Sequence, residues 1–109
     1  RFGYPPFTAL ANVVVQNKER QKVKQLVYRV ADFLLLHRTR LSSEKRMRIL
    51  GPAPAALEKL KGRYRFQIII KTTDRQELHR VLDCTLKDLE QESMNLQGLS
   101  IDIDPLNLL

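Results

Sequence analysis

The side chains with the clearest chemical pattern are cations that alternate with apolar residues in two segments near the middle of the chain. In the first segment Arg46 and Arg48 alternate with Met47 and Ile49. In the second segment, residues 63–71, apolar residues alternate with polar side chains at Arg63, Arg65, Gln67 and Lys71, and Ile69 is the exception. Successive side chains of a β-strand point to opposite faces of a sheet. The pattern therefore predicts two strands that share one apolar face and one basic face.

The excess of positive charge is confined to the same part of the chain. The 109 residues carry a formal net charge of +7, and residues 37–80 hold twelve lysines and arginines against four carboxylates. Such a local excess indicates a surface for a polyanion. The planar fork of arginine donors suits phosphate groups in particular. A solvated basic face without a partner is the alternative.

The predicted nucleic-acid contacts are the polar residues of this basic face and of its entrance, together with one aromatic residue: Arg46, Arg48, Lys61, Arg63, Tyr64, Arg65, Gln67 and Lys71. The other aromatic residue of the third strand, Phe66, has the parity of the buried face. Contacts to phosphates are therefore favoured over stacking on bases. Tyr64 either stacks on a base or packs in the core.

Residues for catalysis or for a metal ion are sparse. Asp102 and Asp104 share one face of a predicted strand and could hold a divalent cation, although solvated residues or salt bridges are favoured. His37 and His79 lie on different predicted elements, and neither has a patterned nucleophile nearby. The single cysteine, Cys84, excludes an internal disulfide and a cysteine-based metal cluster. The sequence thus predicts a module that is not an enzyme and has no cofactor of its own.

A second anion site is predicted at the start of the second helix. Arg75 lies in the first turn, where free backbone N–H groups and the helix dipole already favour an anion. His79 follows one turn later on the same side. An acidic peptide with a free carboxylate would fit these two side chains. Alternatively, Arg75 is solvated or pairs with Glu77 or Asp74.

Hydrophobic periodicity predicts the order strand, helix, strand, strand, helix, strand. The strands are expected at residues 8–16, 45–50, 63–71 and 99–104, the first helix at 22–37, and the second helix from its cap at residue 74 to an end that fades at residues 91–95. Asp74 is expected to cap the second helix, with Glu77 completing a capping box. The segment Gly51-Pro52-Ala53-Pro54 is expected to end the second strand, because proline has no N–H donor. Residues 55–60 are expected to form a single helical turn, and residues 38–44 a polar linker.

This order, with right-handed crossovers, predicts an α+β fold of the ferredoxin-like, split βαβ type (βαββαβ). An antiparallel sheet would carry both helices on one face and leave the basic face open. The expected core contains residues from all parts of the fold: Met47, Phe66, Ile68, Val27, Leu82 and Ile101.

Four short motifs follow one another along the chain: YPPF at residues 4–7, GPAPA at 51–55, GRYRFQIIIK at 62–71 and IDIDPLNLL at 101–109. With these motifs in this order, the chain resembles the C-terminal domain of primosomal protein N′ (PriA), the family of bacterial replication-restart helicases. The resemblance covers essentially the whole chain.

The resemblance implies a fold like that of ribosomal protein S10, with residues 1–7 as a connector from an upstream helicase lobe and residues 8–109 as a C-terminal DNA-binding domain. The parent would be an ATP-dependent 3′-to-5′ DNA helicase of the bacterial cytoplasm, with its ATP, magnesium and zinc sites upstream of this chain. Implied partners are single-stranded and forked DNA, the helicase domains of the same chain, and single-stranded DNA-binding protein, whose acidic tail would bind near Arg75 and His79. No membrane partner is implied.

Two other functions remain open. In one, the basic surface is a docking site for the acidic tail of single-stranded DNA-binding protein. In the other, the chain is an S10-like domain that binds RNA.

Overall fold

The computed structural model describes residues 6–104, which form four strands and two helices. The elements are β1 (Ala9–Asn17), α1 (Arg20–Leu41), β2 (Met47–Leu60), β3 (Arg63–Thr72), α2 (Arg75–Gln91) and β4 (Leu99–Ile103). Most of the predicted connector and the apolar end of the chain lie outside the described residues. The boundary at residues 7 and 8 therefore stays a prediction. No helix within residues 6–104 is long and apolar enough to cross a bilayer.

The four strands form one antiparallel sheet in the order β2-β3-β1-β4. Each βαβ unit is split by a strand of the other unit, so the α+β ferredoxin-like prediction is confirmed. The buried residues of β1, which are Ala9, Ala11, Val13 and Val15, form one core with the apolar sides of α1 and α2. The opposite side of the sheet stays open, because both helices pack on the apolar face.

The predicted core is confirmed at five of its six positions. Met47, Phe66, Ile68, Val27 and Leu82 are at most 5% exposed. Ile101 packs against the core but is only half-buried. The reason is the sheet order: β4 is an edge strand, so Ile101 has a neighbouring strand on one side alone.

The prediction that β2 ends at Gly51-Pro52-Ala53-Pro54 is wrong, since β2 continues to Leu60. The strand lies at the sheet edge and pairs with β3 alone. Its register shifts between Leu50 and Ala53 and again between Pro54 and Lys59. An edge strand with bulges tolerates proline, because the missing N–H can face away from the partner strand.

The predicted helical turn at residues 55–60 is also wrong, because these residues form the second half of β2. Lys61 and Gly62 then connect β2 to β3 with φ angles of 52° and 78°. Two consecutive positive φ angles are typical of a type I′ turn, the tight connection of β-hairpins. The chain thus forms one long β2–β3 hairpin with a lysine at its tip.

The helix boundaries differ from the predictions at α1. The helix ends at Leu41 rather than near His37, so Arg38 and Arg40 belong to its last turn and not to a linker. Their positive charge is favourable at the negative end of the helix dipole.

The start of α2 follows the prediction in part. The Asp74 carboxylate accepts hydrogen bonds from the backbone N–H groups of Gln76 and Glu77, as expected of an N-cap. The Glu77 carboxylate does not complete a capping box: it accepts from Ser42 Oγ at 2.6 Å and from Arg46. The Asp74 N–H instead donates to Thr72 Oγ1 at 3.1 Å.

Truncation of Phe66 tests the strand parity on which the fold depends. We expect Phe66→Ala to lower the free energy of unfolding by about 3–5 kcal/mol in chemical denaturation, because it empties a buried aromatic position. Leu57, which is 52% exposed on the hairpin, provides the control, and Leu57→Ala should stay within about 0.5 kcal/mol of the parent. A loss below about 1 kcal/mol for Phe66→Ala would show that the parity is wrong.

Candidate nucleic-acid interface

The side of the sheet away from the helices is called the open sheet face here, and cations mark both of its ends. At one end Arg48 of β2 lies opposite Lys71 of β3. At the other end Arg65 lies opposite Gln16 of β1, and Arg63 and Lys61 continue toward the hairpin tip. Lys71 and Arg65 are six residues apart on one strand, which corresponds to about 20 Å.

Between its cationic ends the open sheet face carries apolar side chains together with the uncharged polar side chains of Asn12 and Gln67. Leu50 lies opposite Ile69, and Val14 lies opposite Gln67. These positions are half-buried or exposed. The face is therefore not uniformly basic: it places an uncharged, partly apolar surface between two groups of cations.

The predicted cations of β2 and β3 have no compensating charge. Within residues 6–104, none of Arg48, Lys61, Arg63, Arg65 and Lys71 forms an ion pair with a carboxylate. Arg65 donates only to the backbone oxygen of Leu57 at 3.4 Å. Their charge is thus free to act on an external anion.

Other arginines are neutralised within the molecule. Arg20 Nε lies 2.8 Å from Glu58 Oε2. Arg29 Nε donates to Glu92 Oε1 at 2.8 Å, and this guanidinium holds the pKa of the Glu92 carboxyl below its ordinary value. The arginines of the open sheet face thus differ from these paired arginines in having no carboxylate partner within residues 6–104.

The structure does not group Arg46 with the other predicted contacts. Its guanidinium lies 3.2 Å from the carboxylate of Glu77, in the first turn of α2. Ser42, which follows α1, bonds the same carboxylate. Arg46 therefore lies among the helix ends, and its charge is already paired.

Tyr64 also lies apart from the open sheet face. Its ring is half-buried and packs against the core on the helix side of β3. The Lys59 ammonium lies 4.9 Å from the ring centroid, a contact favoured by the negative face of the ring. Of the predicted contacts on β3, Arg65, Gln67 and Lys71 share the open sheet face, and Tyr64 does not.

The second predicted anion site has an internal partner. The guanidinium of Arg75 bonds the carboxylate of Asp104 and not that of Glu77 or Asp74. The other Asp104 oxygen accepts the Leu10 N–H at 3.0 Å. The hydrogen bond from Leu10 and, to a smaller extent, the one from Arg75 hold the pKa of Asp104 below its ordinary value. His79 is exposed one turn further along α2.

In the part of the chain that the structure describes, Asp102 and Asp104 do not belong to a cluster of three or more possible metal ligands. Within residues 6–104, no group of three or more His, Cys, Asp or Glu side chains could hold a metal ion. Asp102 lies on the open sheet face opposite Asn12, whereas Asp104 bonds Arg75. The open sheet face thus carries one carboxylate on β4, and its cations lie on β2 and β3.

One histidine contact was not predicted. His37 of α1 is buried, and its Nε2 lies 2.5 Å from Asp88 Oδ2 of α2. The imidazole is buried, and its contact with Asp88 joins α1 to α2. The separation of 51 residues explains why spacing along the sequence gave no signal.

Two surface features were also not predicted. The β2–β3 hairpin exposes Leu57 and Leu60, because residues 55–60 extend as a strand. A pocket of about 330 Å³ lies at the end of β1 and is lined by carboxamide side chains from distant segments. Neither feature is visible before the topology is known.

The family model and the related proteins that match the chain identify the same family. Residues 1–106 match the family model described as the primosomal protein N C-terminal domain. The chain is 28% identical over 106 residues to replication restart protein PriA of Haemophilus influenzae, which covers 97% of the chain and 14% of that protein. It is 29% identical over 107 residues to replication restart protein PriA of Bacillus subtilis, covering 94% and 12%. The chain therefore spans a small part of the length of these relatives.

A solved structure supports the fold alone. The de novo designed protein Foldit4 has a TM-score of 0.57 to the chain at 10% sequence identity, and the match covers 87% of the chain and 91% of the designed protein.

Acid should destabilise the chain in part through Asp104. Its pKa is depressed in the folded state from an ordinary value of 3.8, so its contribution is present above about pH 4 and is lost as the pH falls through the folded-state pKa. We expect Asp104→Asn to reduce the loss of thermal stability between about pH 4 and pH 2. Asparagine also tolerates the positive φ of 53° at this position.

The matched control is Asp102→Asn, at an exposed residue that makes no ion pair within residues 6–104. This control should keep the pH dependence of the parent. An unchanged acid transition in Asp104→Asn would remove the Arg75–Asp104–Leu10 contacts from the explanation.

Proposed function

The chain belongs to the family of primosomal protein N C-terminal domains, and from this premise we propose that it is a non-catalytic accessory domain that binds single-stranded and forked DNA. The proposed parent is a replication-restart helicase of the bacterial cytoplasm. ATP, magnesium and zinc would bind to other parts of that parent. In this role the domain would hold DNA near the helicase domains of the parent.

The observation that carries DNA binding is the set of uncompensated cations along β2 and β3. Arg48 and Lys71 lie at one end of the open sheet face, and Arg63, Arg65 and Lys61 lie toward the other. Burying the phosphates of a polyanion against these groups releases counterions, which supplies affinity without sequence preference. These cations lie on β2 and β3, and β4 contributes Asp102 instead, so the strand would follow β2 and β3.

The apolar middle of the open sheet face supports the same proposal. Leu50 and Ile69 can contact the faces or sugars of nucleotides whose phosphates reach the cationic ends. Such contacts do not read hydrogen-bonding edges, which is the usual basis of sequence specificity. We therefore propose binding that depends on strandedness and charge more than on sequence.

Packing on the helicase domains would use a different surface. On α1, Tyr28, Leu35 and Leu36 each expose between 41% and 48% of their surface. Large apolar side chains that cluster on the outside of a helix are typical of an interface. We propose that this outer side of α1 faces the upstream helicase domains of the same chain.

A second function is supported by the exposure of Arg75 and His79 at the start of α2. The Arg75 side chain is 50% exposed although it bonds Asp104. An incoming carboxylate could replace Asp104 at the guanidinium, and the helix dipole favours a negative charge at this end of α2. We propose this site for the acidic tail of single-stranded DNA-binding protein.

The DNA proposal predicts a specific salt dependence. Four phosphate contacts to a single strand give a slope of about −3 in log affinity against log salt, since each contributes about −0.7. We expect Arg65→Ala to weaken binding about equally for different sequences and to make the slope shallower by about one contact. Fluorescence anisotropy with labelled oligonucleotides over a salt series measures both quantities.

The matched control for this experiment is Arg80→Ala, which removes an equal charge from the exposed side of α2. It should leave affinity and slope close to those of the parent. Equal affinities for parent, Arg65→Ala and Arg48→Ala would exclude the open sheet face as the DNA site. Equal or tighter binding of a matched RNA oligonucleotide would favour the S10-like RNA-binding alternative.

If the peptide binds at Arg75, substitutions of Arg75 and of Asp104 should change the affinity for the peptide in opposite directions. Arg75→Ala should weaken an acidic peptide with a free C-terminus by about tenfold or more, because it removes a charged hydrogen bond. Asp104→Asn should strengthen the same peptide, because it frees the guanidinium. Isothermal titration calorimetry measures both affinities, with Lys87→Ala as the control at the far end of α2. Tighter or equal binding by Arg75→Ala would exclude this residue from the site.

A further inference from the structure

The pocket at the end of β1 is unusually rich in carboxamides. It has a volume of about 330 Å³ and lies between the end of β1, the first turns of α1 and the loop before β4. Five of its lining side chains are amides: Gln16, Asn17, Gln25, Asn95 and Gln97. A volume near 300 Å³ is at the small end of the range for ligand pockets.

Several of these amides have free hydrogen-bonding groups. The side chains of Gln16, Gln25 and Gln97 make no hydrogen bond within the described part of the chain. Asn17 Oδ1 accepts the Glu19 N–H, and Asn95 Oδ1 accepts the Gln97 N–H, each at 2.9 Å. The two asparagines are thereby held in place, and their NH₂ groups remain as donors.

The remaining lining determines the class of ligand. Val15 and Leu26 are buried and Met94 is half-buried, so part of the wall is apolar. The one charged lining residue is Lys22, whose ammonium lies 3.0 Å from a Glu19 carboxylate oxygen. Within residues 6–104 no carboxylate lines the pocket to bind a cation, and the single lysine, paired with Glu19, does not suit a multiply charged anion.

A small neutral ligand with an apolar face and an edge of mixed donors and acceptors fits this lining, and a nucleobase has these properties. Asparagine and glutamine side chains pair with base edges through one donor and one acceptor. We propose that the pocket binds a nucleobase of single-stranded DNA.

The position of the pocket links it to the cations of the hairpin. Gln16 lies directly opposite Arg65 on β3, and Asn17 lies opposite Tyr64. Directly opposed residues of antiparallel strands are about 5 Å apart between their Cα atoms. Arg65 and Gln16 point to the open sheet face, whereas Val15 and Asn17 line the pocket from the helix side of β1. A strand whose phosphates contact Arg63 and Arg65 would therefore reach the pocket by passing around the end of β1. The choice of DNA as the source of the base rests on the proposed function.

The loop before β4 keeps the pocket in shape. Gly98 has a φ of 89°, and a Cβ atom on it would lie 2.0 Å from the backbone oxygen of Gln16. The Gln16 N–H also donates to the Gly98 oxygen at 3.0 Å. Glycine thus lets the loop that carries Asn95 and Gln97 approach β1 closely.

The first experiment tests the pocket without DNA. Deoxynucleosides, titrated at millimolar concentration, should shift the side-chain amide NMR signals of Gln25 and Gln97 in the 109-residue chain. The signal of Gln76, an exposed glutamine on α2, should stay unchanged. No shift of Gln25 or Gln97 with any of the four deoxynucleosides would overturn the proposal, whether or not the chain binds DNA.

The second experiment tests the source of the base. Gln25→Leu and Gln97→Leu should each weaken a single-stranded oligonucleotide about three- to tenfold, as the loss of one hydrogen bond does. Neither should weaken an abasic oligonucleotide of the same length, and Gln76→Leu should affect neither. Arg65→Ala should weaken both oligonucleotides, which separates failure of the phosphate site from failure of the pocket. DNA would be excluded as the source of the nucleobase if Gln25→Leu and Gln97→Leu lowered the affinity for both oligonucleotides equally. It would also be excluded if neither variant lowered the affinity for either oligonucleotide.

Discussion

The alternation of side chains along β3 is the constraint on which the rest of the structure depends. Phe66, Ile68 and Ile70 point into the core, and this fixes Arg65, Gln67 and Lys71 on the opposite face. A shift of the register by one residue would move the charges into the core and the apolar residues into solvent. Because β3 pairs with both β1 and β2, packing of the core and presentation of the cations are one property of the molecule.

Local periodicity was sufficient to predict the bounds of a strand where those bounds do not depend on which strands lie beside it in the sheet. The bounds of β1, β3 and β4 agree with the predictions to within one residue, because alternation and helical spacing are encoded in adjacent residues. The continuation of β2 through Pro52 and Pro54 and the partial exposure of Ile101 depend instead on which strands form the sheet edges. That order follows from packing of the whole chain, and no short segment contains it.

The same distinction applies to the candidate site. Strand parity correctly placed Arg48, Arg65, Gln67 and Lys71 on the side away from the helices. It could not show that Arg46 is paired with Glu77, a residue 31 positions away. The carboxamide pocket was equally hidden, since its amides come from segments near residues 16, 25 and 95. Residue type predicted which groups could bind an anion, and tertiary contacts decided which of them remain free.

The irregular pairing of β2 has a consequence for self-association. This strand leaves one side of its backbone unpaired at the sheet edge and exposes Leu50, Leu57 and Leu60, a combination that favours the addition of a strand from another molecule. Pro52 and Pro54 remove two N–H donors from the strand, and the two register shifts interrupt its straight course. A second copy would therefore find no continuous row of donors and acceptors to extend. The prolines and bulges that make this segment an unusual strand therefore also oppose the pairing of its free edge with another strand.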